Sequence, residues 1–276
     1  MVIGLLPNLD KHGVANVMDR LKPIFKENGM TAYLPDYISF IGYESIAEEE
    51  LFKISDILLT VGGDGTIIRY AKLAAVHNKP ILGINAGRLG FLANLEANQL
   101  HLISKLKSGD YEVEKRMALS VKVVENNQTA AEFTAINDAV ISSGFMLRLI
   151  DICAYIADAP INYRADGLII SSPTGSTAYS MSAGGPIIDP AINNIIITPI
   201  CSHSLSAKPI ILSGDTIVKF KAFSMKKSDI FLLIDGRRSY TIKPFTELYI
   251  TKSNNDVSLI KLTQRSFYKT LSEKFK

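Results

Sequence analysis

A chain of 276 residues, 47% hydrophobic and 21% charged, has the composition of a globular protein and not of a disordered or fibrous one. A formal charge of +3, with Lys226-Lys227 and Arg237-Arg238 as its basic pairs, excludes an extended nucleic-acid surface and leaves room for the handling of small anions. No apolar run reaches the roughly eighteen residues of a membrane span, and "MVIGLLPNLDK" lacks the marks of an export signal, so a cytoplasmic protein with no membrane partner is expected.

In chain order, "VIGLL" reads as a buried strand, followed by a helix through Val14, Val17, Leu21, Ile24 and Phe25 that stops at Gly29. "MTAYL" predicts a second strand, and Ser45 with Glu48 has the spacing of a capping box at the start of a helix. "DILLTV" is a continuous apolar run of the kind that a parallel sheet buries on both faces. Ile67, Ile68, Ala71, Ala74 and Ala75 then share a helical stripe, and "ILGI" is the next strand, which makes a βαβ unit. From about residue 118 short alternating segments follow: "LSVKVVE", "FTAINDAVIS", "LIDICAYI", "NIIITPI", "TIVKFKAF", "DIFLLIDG", "ELYIT" and "VSLIKL". The expected fold is an α/β N-terminal domain with a parallel sheet (1–115), a β-rich, sandwich-like C-terminal domain (116–257), and a terminal segment (258–276) that returns to the first domain.

The glycine loop "GGDG" lies between a strand and a helix, where α/β sheets bind ligands and helix N–H groups face an anion. Gly62, Gly63 and Gly65 allow positive φ and close backbone approach, yet neither the dinucleotide fingerprint nor the P-loop pattern is met. Asp64 within it suits a base or orienting group for a hydroxyl attacking phosphorus, or a carboxylate that holds magnesium against phosphates. The structural alternative is a tight turn in which Asp64 caps Ile67 or a neighbour. A second loop, "GINAGRLGFL", should emerge at the same sheet edge, and its Arg88 either meets phosphate or is solvated.

Further on, Asn137 and Asp138 in "INDAV" suit the vicinal hydroxyls of a ribose, or else form an Asx turn. In "YRADGLIISSPTGSTAYSMSAGGPIIDP", small hydroxyl residues around Tyr179 resemble a nucleoside pocket, with Asp166 or Ser182 reading polar edges; the alternative is a Ser/Thr-rich connection with Tyr179 in the core. Cys153 and Cys201 form no C-x-x-C and are expected as buried free thiols, and His12, His77, His101 and His203 lack metal-ligand spacing.

In order, "GGDG", "INDAV", "DGLIISSPTGSTAYSMSAGGPI", "HSLSAKPIIL" and "IDGR" resemble the motif series of bacterial NAD kinases across residues 56 to 237. The long DGL to GGP stretch is the specific part, because GGDG is shared with diacylglycerol, sphingosine and phosphofructo-kinases. The resemblance implies Asp64 as the base near the 2′-hydroxyl of the adenosine ribose of NAD, with Gly65 beside it, and Asn137 and Asp138 on the ribose and adenosine. It implies Arg148 and Arg164 facing phosphates or a neighbouring subunit, and Asp166 on the nicotinamide amide. Thr174, Thr177, Ala178, Tyr179, Ser180 and Ser182 form the pocket, and Tyr179 stacks on a base. ATP or polyphosphate as donor, a divalent cation (Mg²⁺) and a homodimer or homotetramer are implied as well, the cation being held by Asp64 and the phosphates or by the phosphates alone. Two positions depart from the commonest pattern: Asp138 replaces a Glu, and Arg237 replaces a Gln and adds a cation toward phosphorylated ligands or a surface pair. Another GGDG-type kinase, of a lipid or a sugar phosphate, and a non-catalytic NAD(P) sensor are the alternatives. The hydroxyl-rich 171–182 stretch disfavours a lipid groove, and a carboxylate beside phosphates disfavours a pure binder.

Overall fold

The structure, a computed structural model, describes residues 1–87, 90–143, 149–204, 206–224 and 229–276. It divides into two units, Met1–Arg116 with Val257–Lys276, and Met117–Asp256. The strands in chain order begin with β1 (Val2–Pro7), β2 (Thr31–Pro35), β3 (Glu44–Ile46), β4 (Ile57–Gly62), β5 (Ile81–Asn85), β6 (Leu95–Glu96) and β7 (Glu112–Arg116). They continue as β8 (Leu119–Glu125), β9 (Gln128–Ala135), β10 (Asp138–Ser142), β11 (Ile150–Ile156), β12 (Ala159–Ala165) and β13 (Gly167–Ser171). The last are β14 (Asn194–Ile200), β15 (Ile210–Ser213), β16 (Val218–Phe223), β17 (Ile230–Ile234), β18 (Arg237–Ile242), β19 (Glu247–Lys252) and β20 (Val257–Lys261). The helices are α1 (Val14–Glu27), α2 (Glu48–Ile54), α3 (Asp64–Val76), α4 (Lys105–Ser108), α5 (Tyr179–Ser182) and α6 (Phe267–Lys274).

In the first unit the strand order is β3-β2-β1-β4-β5-β20-β7, with β6 paired to β5. All these pairings are parallel except that of β20 with β7. The fully buried run of β4 is the one that the sequence marks as two-face-buried, β5 is buried along its length as well, and α1 presses Val14, Val17, Met18, Leu21 and Phe25 into the core. The chain steps outward from β1 to β2 and β3, then crosses to β4 on the other side of β1, so the order reverses between β1 and β4. In open α/β sheets the carboxyl ends of the strands at such a reversal form the ligand crevice. The segment "VSLIKL", read with the β-rich series, contributes β20 to this sheet, between β5 and β7.

In the second unit two antiparallel six-stranded sheets, β15-β14-β13-β10-β17-β18 and β12-β11-β16-β19-β8-β9, enclose one core. Alternation supplies it: Ile150, Ile152 and Ala154 from β11 and Val218, Phe220 and Ala222 from β16 point inward, while their neighbours face out. The central strand β13 is buried along its whole length, because the 174–182 segment packs against it.

Several local expectations are corrected. The Ser45/Glu48 pair does not cap a helix: Ser45 is in β3, Ala47 precedes α2, and Glu48 instead accepts a 2.5 Å hydrogen bond from the Tyr37 hydroxyl. The thiols are not buried, Cys153 being half-buried on an outward strand position and Cys201 exposed. Strands β7 and β12 escaped the sequence reading because their charged and polar residues blur the alternation.

Ser180 illustrates how the hydroxyls of the 174–182 segment serve packing. Its Oγ is fully buried and 2.9 Å from Thr198 Oγ1 on β14. Replacing it with alanine leaves the Thr198 hydroxyl without that partner, and Ser180→Ala is expected to lower unfolding stability by about 1–3 kcal/mol in chemical denaturation. Unaltered stability would mean that the segment is not anchored there.

Candidate active site

At the reversal point the chain leaving β4 turns through Gly63, extended at φ −172°, straight into α3. The first N–H groups of a helix have no intrahelical acceptor, so those at the start of α3 are open to an anion, and the helix dipole favours one there. None of Gly62, Gly63 and Gly65 has positive φ, contrary to the expectation; a methyl group at Gly63 would meet the Lys11 ammonium, the far end of a flexible side chain that can move aside. Lys11, on the turn after β1, donates from Nζ to the Gly62 carbonyl at 2.9 Å. Lys11 is not legible in the sequence, since a single lysine in a loop carries no pattern; the detectable signal is its place after the first strand of a βαβ unit. Asn85, at the end of β5, is buried, and its Nδ2 has no hydrogen-bond partner among the described residues, while its Oδ1 accepts from the Gly87 N–H at 3.2 Å. Arg88 and Arg148 lie outside the described residues.

Asp64 is the first residue of α3, and its side chain does not cap Ile67. Its Oδ2 accepts from the N–H of Phe91 at 2.7 Å, and its Oδ1 from those of Leu92 at 3.0 Å and Ala93 at 3.2 Å. The two glycine loops are therefore joined through one carboxylate. Gly90 lies so close that a side chain there would overlap Asp64 Oδ1. A carboxylate offers about four acceptor sites, so three amides leave about one for a ligand.

In the second unit the Asn137 turn is held from two sides. Asp235 Oδ1 accepts from the N–H groups of Ile136 at 3.0 Å, Asn137 at 2.7 Å and Asp138 at 3.2 Å. Ser172 donates to the Ile136 carbonyl at 2.6 Å and Ser171 to that of Asn137 at 3.2 Å. Asp138, at the head of β10, is only 3% exposed, and burial followed by the nearby Asp235 charge pushes its carboxyl up to about 7. Thr174 is buried with Oγ1 unpartnered among the described residues, Thr177 and Ala178 are half-buried, and Ser182 is exposed. Tyr179 is 46% exposed, which removes the core reading. Its phenol is raised by partial burial and then by the charges of Cys201, Asp138 and Asp166, so these groups share one neighbourhood. Asp166, half-buried between β12 and β13, donates its N–H to the Ile200 carbonyl at 3.0 Å. Arg164 is exposed and 3.9 Å from Asp151, and Arg237 is exposed at the β17–β18 hairpin. The exposed ring of Tyr179 with carboxylates and small residues about it suits an aromatic, polar-edged ligand.

Among the described residues no group of three His, Cys, Asp or Glu side chains could hold a metal ion, and no helix is long and apolar enough to cross a membrane.

Residues 4–111 match the family model of the ATP-NAD kinase N-terminal domain, and residues 136–262 that of the ATP-NAD kinase C-terminal domain. The chain is 39% identical over 277 aligned positions to the NAD kinase of Caldanaerobacter subterraneus subsp. tengcongensis, covering 99% of this chain and 98% of that one. It is 37% identical to the NAD kinase of Natranaerobius thermophilus, with 99% and 96% covered. Its fold is similar to that of a yeast NADH kinase complexed with NADH (TM-score 0.88, 22% identity, 100% of this chain and 87% of that chain). It is also similar to an NAD kinase from Archaeoglobus fulgidus in complex with ATP (TM-score 0.76, 25% identity, 99% of both chains).

The raised carboxyl of Asp138 has a consequence for stability. The native state keeps the proton up to about pH 7 while the unfolded chain releases it near the ordinary 3.8, so this group's contribution is full below about pH 4 and is lost as pH rises to about 7. Measured as unfolding free energy against pH, wild type is expected to lose ground to Asp138→Asn by up to about 1.4 kcal/mol per pH unit across that window. Parallel curves for the two proteins would refute the shift.

Proposed function

The chain belongs to the NAD kinase family and phosphorylates NAD to NADP, and from that premise we propose how its residues divide the work. Asp64 is the base that takes the proton of the 2′-hydroxyl on the adenosine ribose. The observation that carries this reading is its geometry: three main-chain amides fix the carboxylate and leave about one acceptor site for that hydroxyl. The donor phosphates of ATP, or of polyphosphate, lie on the open N–H groups of Asp64 and Gly65, with Lys11 as the cation and the unpartnered Asn85 Nδ2 as a further donor. Phosphoryl transfer is in large part positioning and charge stabilisation, and these groups supply both.

Asn137 and Asp138 hold the ribose and adenosine, Asp166 reads the nicotinamide amide, and Tyr179 stacks on a base. Thr174, Thr177, Ala178, Ser180 and Ser182 shape the wall around it, in part through backbone groups, and Arg164, Arg148 and Arg237 serve the phosphates of NAD or a neighbouring subunit. The absence of a three-ligand cluster among the described residues fits a Mg²⁺ ion held chiefly by the donor phosphates. When bound it neutralises charge on those phosphates. We take the working form to be a homodimer or homotetramer, as the resemblance implies, in the cytoplasm, as the lack of an export signal or membrane-length apolar run suggests.

Incubation with NAD, ATP and Mg²⁺, with NADP read out by an NADP-specific dehydrogenase, tests the reaction. Asp64→Asn is expected to cut turnover by about a hundredfold or more while NAD binding changes by about threefold at most. Asparagine also turns an N–H₂ toward the Phe91 N–H, so a lower melting temperature should accompany the loss. Full turnover by the variant would end the base assignment. Tyr179→Ala is expected to raise the Michaelis constant for NAD by about tenfold, the scale of a lost aromatic contact, and an unaltered constant would remove the stacking role.

A further inference from the structure

The loop that grips Asp64 is itself gripped by the C-terminal segment of the same unit. Phe91 donates the 2.7 Å bond to Asp64 Oδ2, and its ring packs against that of Phe267, the first residue of α6, with centroids 5.7 Å apart and planes tilted by 40°. Lys274, in the last turn of α6, places its ammonium 4.6 Å from the centroid of the same Phe91 ring. Three residues along the loop, Asn94 Oδ1 accepts from the N–H groups of Leu262 at 2.7 Å and Thr263 at 3.0 Å. Arg265 then donates to Glu96 at 2.8 Å and also pairs with Glu273 of α6. The helix is set at its own start by Ser266, whose Oγ accepts from the Lys269 N–H at 3.2 Å.

The loop and the segment thus meet through tilted aromatic rings in contact, paired main-chain donors on one amide oxygen, and a bridged guanidinium. Between them remains a cavity of about 30 Å³, lined by Phe91, Arg116, Arg265, Phe267 and Thr270 among others, which is room for about two water molecules.

We infer that the C-terminal segment, and Phe267 above all, is a positioning element for phosphoryl transfer: it holds the Phe91, Leu92 and Ala93 N–H groups at the distance that aims the remaining acceptor site of Asp64. The inference rests on Asp64 as the base. A displaced loop leaves the carboxylate present and ionisable but wrongly directed, which lowers the rate of the chemical step without touching the groups that bind NAD. Small misplacements of a reacting group are costly, since proximity and alignment supply a large part of the rate.

The test uses the full chain with NAD, ATP and Mg²⁺ and compares wild type, Phe267→Ala, Phe267→Leu, Phe267→Tyr and Asp64→Asn. Phe267→Ala is expected to lower kcat by about tenfold with the KM for NAD within about twofold, and Phe267→Tyr to keep wild-type kcat within about twofold. Amide hydrogen exchange at Leu92 and Ala93 should quicken in Phe267→Ala and remain slow in Phe267→Tyr. Should the alanine variant fail to fold, Phe267→Leu, which keeps an apolar side chain but removes the ring, is read in the same way. A folded Phe267→Ala or Phe267→Leu protein with a lower melting temperature but wild-type kcat and wild-type exchange at Leu92 and Ala93 would overturn the inference. Asp64→Asn at full turnover would instead remove the base reading beneath it, and the exchange rates, which do not depend on catalysis, tell the two failures apart.

Discussion

A carboxylate that accepts successive main-chain N–H groups is the constraint on which the candidate residues of each unit depend. Turn amides have no ladder partner, and a buried donor left unmade costs about 1–3 kcal/mol, whereas an anionic acceptor makes bonds stronger than a neutral one. Asp64 meets this need for Phe91, Leu92 and Ala93, and Asp235 meets it for Ile136, Asn137 and Asp138. Each carboxylate sits where its own backbone suits it. Asp64 is in the first turn of α3, where the helix dipole favours negative charge, and Asp235 tops a two-residue hairpin loop with φ 49°, followed by Gly236 at 76°.

The two anchors have different chemical outcomes. Asp64 holds the second glycine loop and leaves about one acceptor site open at the start of α3, beside the first helix N–H groups. Asp235 touches the turn that presents Asn137 and raises the proton affinity of Asp138 by its charge, so it acts through its neighbours. Most hydroxyls between Ser171 and Ser180 are likewise spent internally: Ser171 and Ser172 on the Asn137 turn, Ser176 on Ile188, Ser180 on Thr198.

Legibility from the sequence followed the range of the physics. The runs that became β1, β4 and β5 were readable because burial on both faces demands continuous apolar residues, and the alternating segments that became β8, β11 and β16 because a sandwich buries every second one. The parallel α/β sheet and the antiparallel β-rich unit followed from those two periods. The strands β7 and β12, with charged or polar residues through them, carried neither period. The Ser45/Glu48 spacing satisfied a local rule that tertiary contacts overrode, since Glu48 found the Tyr37 hydroxyl instead. At the site, Asp64, Asn137, Asp138 and Tyr179 were legible as residue types in motifs, while Lys11, Asn85 and the part played by Asp235 were not.

By itself the amino-acid sequence determined the element types, the loops that carry the reactive groups and the family to which their order points, because these depend on neighbours a few residues apart. The tertiary structure decided what those groups touch. Asp64 finds its amide donors 27 to 29 residues further along the chain, and Asp235 finds its own 97 to 99 residues back. A main-chain N–H is the same in every non-proline residue, so a hydrogen bond to it leaves no mark in the sequence, and only folding brings the acceptor within reach.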